Sequence, residues 1–219
     1  GGWVVILPYA SRTGTRRNLD ALRAAGWRLV VVAGADLRSE GFPYGLDNGA
    51  WGCFQRGEEF NSEAFRRAVA KLGAGADWVV MPDIVAGGLA SLRFSMSWAS
   101  ELQGVGRRRL IAVQNGMTPA DVRDELGDKC GLFVGGTTEW KWDTVERWAS
   151  LAHARGAYCH VGRVNTTRRI RQCIRAGVDS FDGTSVTRFA VNLPKLDASR
   201  KQTALPFDLR DYVDGCAHD

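Results

Sequence analysis

Tyr158-Cys159-His160-Val161, then Thr166 to Ala176 with Gly177, then Ser180-Phe181-Asp182 read as one strand–helix–strand unit. The first run is short and rich in strand-favouring residues. The second is an amphipathic stretch whose closing glycine suits a helix C-cap, and the third is again a short strand. Strands joined through helices must run parallel. The same unit recurs outward along the chain. Candidate strands are Trp3–Leu7, Arg28–Val32, Tyr44–Asp47, Trp78–Pro82, Leu110–Gln114, Leu132–Gly135, Tyr158–Val161 and Ser180–Asp182. Continuous apolar runs such as Leu29-Val30-Val31-Val32 and Val79-Val80-Met81 fit strands covered on both faces. Helices are predicted over Thr15–Ala25 before Gly26, Ser62–Leu72 before Gly73, and Asp143–Ala154 before Gly156. Thr118-Pro119-Ala120-Asp121 sets a capping hydroxyl before a proline at the first helical position. The second strand reaches the third without a full helix. Eight such units predict a compact (β/α)8 TIM barrel, one domain over 1–219, with the tail after about Leu196 completing or packing on it. A doubly wound open sheet is the alternative.

Composition sets the class. A chain of 219 residues, 45% hydrophobic and 24% charged, is an ordinary globular domain with one core. No apolar run approaches the roughly 18 residues of a membrane span. Gly1 to Pro8 lacks the basic flank of a signal peptide, so a cytoplasmic location is expected. Cys53, Cys130, Cys159, Cys173 and Cys216 are scattered and odd in number, which argues for reduced core thiols rather than disulfides or a cysteine-rich zinc site. The formal charge of +5 is carried largely by arginine, including Arg107-Arg108-Arg109, Arg168 and Arg169. Arginine's planar fork suits phosphate, although solvated helix faces account for such a charge equally well.

In a parallel barrel the C-terminal strand ends converge on the active face. Those positions hold Asp47, Asp83, Gln114, Gly135-Gly136, His160 and Asp182, with Trp51 just beyond Asp47. Taken singly, an Asp there is more often a turn or capping residue, a Gly pair a tight turn, and a Trp core packing. Taken together they suit a planar, hydrogen-bonding ligand. Carboxylates can accept from the edge of a guanine, an amide can donate and accept, glycine backbone lets a ligand carbonyl approach, and an aromatic ring can stack a base. Two acids can also divide glycosidic chemistry between nucleophile and proton carrier.

At these residues the sequence resembles the tRNA-guanine transglycosylase superfamily. Asp179-Ser180-Phe181-Asp182, followed by Thr187-Arg188, is similar to its nucleophile motif. Leu46-Asp47-Asn48-Gly49-Ala50-Trp51 is similar to its Asp-Ser-Gly-Gly-aromatic motif, Ala112-Val113-Gln114-Asn115-Gly116 to its base-binding Gln strand, and Phe133-Val134-Gly135-Gly136 to its purine-contacting glycines. Asp83 falls where the family recognises the base. These matches run in the family's order from about 44 to 190. The family's C-terminal zinc site of three cysteines and a histidine is absent, which points away from tRNA. The short length and the runs Gly135-Gly136-Thr137-Thr138-Glu139-Trp140-Lys141 and His160-Val161-Gly162-Arg163-Val164-Asn165 resemble the small phage and bacterial branch, the DpdA-like proteins, which insert 7-deazaguanines into DNA.

The resemblance implies Asp182 as nucleophile at C1′ and Asp47 as the proton-handling acid or base. Asp83, Gln114 and the Gly135-Gly136 backbone would read the guanine edge, with Trp51 stacking. Cys159 and His160 would lie against the other face of the base, and Arg163 and Arg188 would meet phosphate or sugar. The implied partners are DNA in preference to tRNA, free guanine and a 7-deazaguanine such as preQ0. No metal or organic cofactor is implied. A tRNA-directed enzyme, a nucleosidase or nucleoside deoxyribosyltransferase, and a non-catalytic nucleic-acid-binding subunit are the alternatives.

Overall fold

The computed structural model describes residues 5–12, 15–188 and 190–201. Eight parallel strands close in chain order: β1 (Leu7–Ser11), β2 (Arg28–Val32), β3 (Tyr44–Asp47), β4 (Val79–Val80), β5 (Arg109–Val113), β6 (Cys130–Val134), β7 (Cys159–Val161) and β8 (Ser180–Gly183). The barrel is shut by β1 against β8, with Tyr9 opposite Asp182. The open-sheet alternative is thereby excluded. Around the barrel, among the described residues, lie α1 (Arg16–Ala24), α2 (Ala50–Gln55), α3 (Ser62–Leu72), α4 (Leu89–Ser97), α5 (Pro119–Val122), α6 (Thr138–Ala154), α7 (Thr167–Arg175), α8 (Ser185–Arg188) and α9 (Leu193–Lys201). As expected, β2 passes to β3 without a helix.

One correction bears on the frame. The first strand lies four residues later than the apolar run at Trp3–Leu7 implies. Leu7 pairs with Ser180 and Ala10 with Gly183, so the less apolar Pro8-Tyr9-Ala10-Ser11 carries the ladder; Trp3 and Val4 fall outside the described residues. The described part of the tail, to Lys201, packs on the barrel. In α9, Leu193 and Leu196 are buried, Asp197 accepts from Trp27 Nε1 at 3.0 Å, and Arg200 donates to Ala25 O at 2.7 Å. This ties α9 to the segment between α1 and β2.

Strand periodicity divides the core in two. Leu29, Val31, Leu46, Val79, Met81, Ile111, Val113, Leu132, Val134, Val161 and Phe181 join the layer between barrel and helices. Tyr9, Val30, Trp78, Val80, Leu110 and Ala112 fill the barrel itself, with Phe133 and Tyr158 packed on them. Trp78 is completely buried there, and Gly45 opposite it makes the space: a Cβ at Gly45 would overlap the indole ring. The interior is a packed plug. The layer above it, at the C-terminal strand ends, carries the polar groups of the candidate site.

Candidate active site

That layer holds the chemistry. Asp182, pointing inward from β8, accepts from the His160 ring at Nε2 (2.8 Å) through Oδ2 and from the Arg163 backbone N–H (3.1 Å) through Oδ1. His160 is completely buried. Its Nδ1 meets Ser180 Oγ at 2.6 Å, and its ring stacks on Phe133 with centroids 5.0 Å apart. A Ser180–His160–Asp182 chain therefore rises along the inner wall, with the histidine donating to the carboxylate when the serine hydroxyl donates to Nδ1.

Asp47, at the end of β3, accepts the Gly49 N–H at 2.8 Å. Burial, and secondarily the charges of Asp182 and Asp83, push its carboxyl up to about 7. Two acids of one mouth thus sit in unlike surroundings: one is fixed by two N–H donors, and the other holds its proton to near neutrality. Asp83 follows β4 and accepts from Asn48 Nδ2 at 2.8 Å; burial raises its carboxyl too, while the Asn48 hydrogen bond opposes that. Asn48 also donates to Met81 O and accepts from Ala50 N, so it locks the β3 and β4 ends together. Nothing in the sequence marks Asn48 for this role except its position beside Asp47.

Gln114 follows β5. Its Nε2 donates to Ile84 O (3.0 Å) and Ser91 Oγ (2.9 Å), which occupies the amide donors and leaves Oε1 as the atom for a ligand. The expectation that it both donates and accepts is narrowed to accepting. Gly135 is narrowed further, because its N–H donates to Val113 O at 2.9 Å in the ladder. Gly136 is the freer of the pair. With φ of +74°, and with any Cβ there falling within 3 Å of the Trp140 ring and Asn115 Oδ1, it admits only glycine.

Two predicted base contacts are corrected. Cys159 precedes His160 on β7, and strand alternation sends it the other way, into the fully buried layer against the helices, where burial holds its thiol well above the ordinary range. His160 does point inward, but it lies below Asp182 with no exposed surface, so it orients the acid instead of covering a base.

Arg163 spans the mouth. It is a non-glycine residue at φ +60°, a conformation that costs about 1–3 kcal/mol and that clusters at functional sites. Its backbone holds Asp182, its guanidinium donates to Gly136 O at 2.5 Å, and the same group lies 4.8 Å from the ring centroid of Trp51. Trp51 is 44% exposed, with Phe54 stacked on it at 5.7 Å. Arg188 is exposed at the end of α8. Among the described residues, no three His, Cys, Asp or Glu side chains form a metal-binding group, and no helix is long and apolar enough to cross a membrane.

No protein-family model matches the chain, and no curated protein matches it. Among solved structures the chain is similar to tryptophan synthase from M. tuberculosis in its open form, at 14% identity and a TM-score of 0.57, with 90% of each chain covered. At that identity the likeness shows the fold, a (β/α)8 barrel, and nothing of the reaction.

Proposed function

We propose that the chain is a glycosyltransferase that exchanges guanine in DNA for a 7-deazaguanine of the preQ0 kind, through a covalent glycosyl-enzyme intermediate on Asp182. The observation that carries this is the unlike pair at the mouth: Asp182 oriented by His160 and Arg163, and Asp47 protonating near neutrality. Environments that separate two carboxyls in this way assign nucleophile and acid–base roles. The motif resemblance in the strand-end residues supports guanine as the base.

The steps balance on these two groups. The target nucleotide leaves the stack, because its glycosidic bond is shielded inside a duplex. A carboxylate oxygen of Asp182 bonds to C1′ while the C1′–N9 bond breaks, and the electron pair on the departing guanine takes the Asp47 proton. The deazaguanine then returns a proton from its N9 to Asp47, and N9 bonds to C1′ as the Asp182 ester breaks. A group titrating near 7 can serve both directions. Asp83, Gln114 Oε1 and the Gly136 backbone are the candidates for reading the guanine edge. For the base to stack on Trp51, Arg163 must leave the indole face it covers.

The test is incubation with radiolabelled guanine and DNA, tRNA or free nucleosides. Label entering DNA supports the proposal. Label entering tRNA alone, or release of base without exchange, overturns it.

A further inference from the structure

Beside the mouth, between the first turns of α6 and α7, lies a groove of about 540 Å³. Its walls carry Lys141, Arg163, Arg168 and Arg169, together with Thr138 and Thr166, and no carboxylate. Among the described residues no ion pair neutralises these four cations. The arrangement is unfavourable for an empty surface in three ways. Lys141 is only 2% exposed, and its ammonium is met by the Gly162 carbonyl at 2.5 Å in place of a counter-charge. Burial, then the charge of Arg163, bring its pKa down to about 8, while Asp182 opposes this. Arg168 and Arg169 occupy the first turn of α7, the positive end of the helix dipole, where acidic residues are favoured and none is present.

The cluster is also held in place. Arg169 lies 4.6 Å from the Trp142 ring centroid and donates to Gln172 Oε1 at 2.6 Å, while Gln172 Nε2 donates to Trp142 O. Lys141 lies over the same indole, 5.3 Å from its centroid. Preset cations around a cavity without acids suit a dianion or monoanion with several acceptor oxygens. Local choices that work against stability are where a binding function is expected.

The groove joins the mouth directly. Arg163 lines it and holds Asp182 through its backbone, and Gly162, whose carbonyl meets Lys141, sits against Asp182 Oδ2. We propose that this groove is a phosphate-binding site that takes the phosphodiester next to the nucleotide whose sugar faces Asp182. It rests on the base-exchange reading only in placing that sugar; the phosphate of a free nucleotide shares the chemistry.

The experiment measures binding of a labelled single-stranded deoxyoligonucleotide, and separately of dGMP, to the full chain across a KCl series. Wild type is compared with Arg168→Gln/Arg169→Gln and with Lys141→Met. Arg168 is exposed and Arg169 half-buried, so that variant keeps the test valid should Lys141→Met misfold. Both groove variants should bind the oligonucleotide about tenfold or more weakly near 0.1 M salt, with a log–log salt slope shallower by about 0.7 for each phosphate no longer neutralised. Loss of dGMP binding with unchanged oligonucleotide binding supports the phosphate site and assigns it to free nucleotides. Unchanged affinity and slope for both ligands in a folded arginine variant overturns the proposal. Because binding is read without turnover, failure of base exchange leaves this result standing, and the reverse also holds.

Discussion

Asp47→Asn should stabilise the protein at alkaline pH while removing its proton chemistry. Folding raises the Asp47 carboxyl from an ordinary 3.8 to about 7, so between those values the native state binds a proton that the unfolded chain has released. Stability from this group is intact below about pH 4 and is lost as pH rises through 7. One unit is worth about 1.36 kcal/mol. The full shift is therefore about 4 kcal/mol, and solvent at the partly open mouth reduces it to about 2–3. Asparagine keeps the acceptor for Gly49 N–H but cannot ionise. The variant should match the wild type below about pH 4, gain on it steadily from pH 4 to 7, and hold a lead above pH 7. For a chain of this size the lead is about 4–12 °C in Tm at pH 8. Urea or thermal unfolding of both proteins at pH 5, 6, 7 and 8 measures it. A gap between the two that does not widen with pH refutes the reasoning, because a purely steric effect of the substitution has no such dependence. Base exchange by the same variant should fall by about 10²–10⁴-fold.

Asp182→Asn should abolish a denaturant-stable protein–DNA adduct that wild type forms with a stalling deazaguanine, as read by denaturing electrophoresis; persistence of the adduct removes Asp182 as nucleophile. Asp83→Ala should weaken guanine binding by about 1–3 kcal/mol in calorimetry and leave oligonucleotide affinity as it was. Gly45→Ala should cost about 1–3 kcal/mol or more in urea unfolding, since its methyl group meets the buried Trp78 ring. In an Asp182→Asn background, the pH-dependent lead of Asp47→Asn should shrink, because part of the Asp47 shift comes from the Asp182 charge.

The barrel was legible because its signals are local. β2 and β3 run as read, at Arg28–Val32 and Tyr44–Asp47, and α3 matches Ser62–Leu72. What was missed lacked a local signature. The helix α4, Leu89–Ser97, has little amphipathic pattern, because its buried face includes Ser91 and Ser95, which hydrogen-bond the chain after β4. The helix α6 begins at Thr138, five residues before the predicted start, since Trp140, Lys141 and Trp142 do not read as an ordinary first turn. At the site, the strand-end acids were legible from the repeat alone. The opposite facing of Cys159 and His160 turns on strand parity, which a one-residue shift inverts. The positive φ of Arg163 leaves no trace in sequence, because asparagine or glycine is the usual mark of that conformation.

That residue connects the features of the mouth. Its backbone N–H orients Asp182, its side chain reaches Gly136 O and covers Trp51, and it forms one wall of the cationic groove. A phosphate arriving in the groove competes for the guanidinium with a neutral carbonyl and an indole face, and a charge-assisted contact is the stronger of these. Drawing the side chain toward the groove would uncover Trp51 and leave the backbone hydrogen bond to Asp182 untouched. Engagement of the polymer would then open the stacking surface while the carboxylate stays aligned. In the free protein the Arg163 guanidinium lies over the Trp51 ring, so on the proposed reading a single residue would link the two sites.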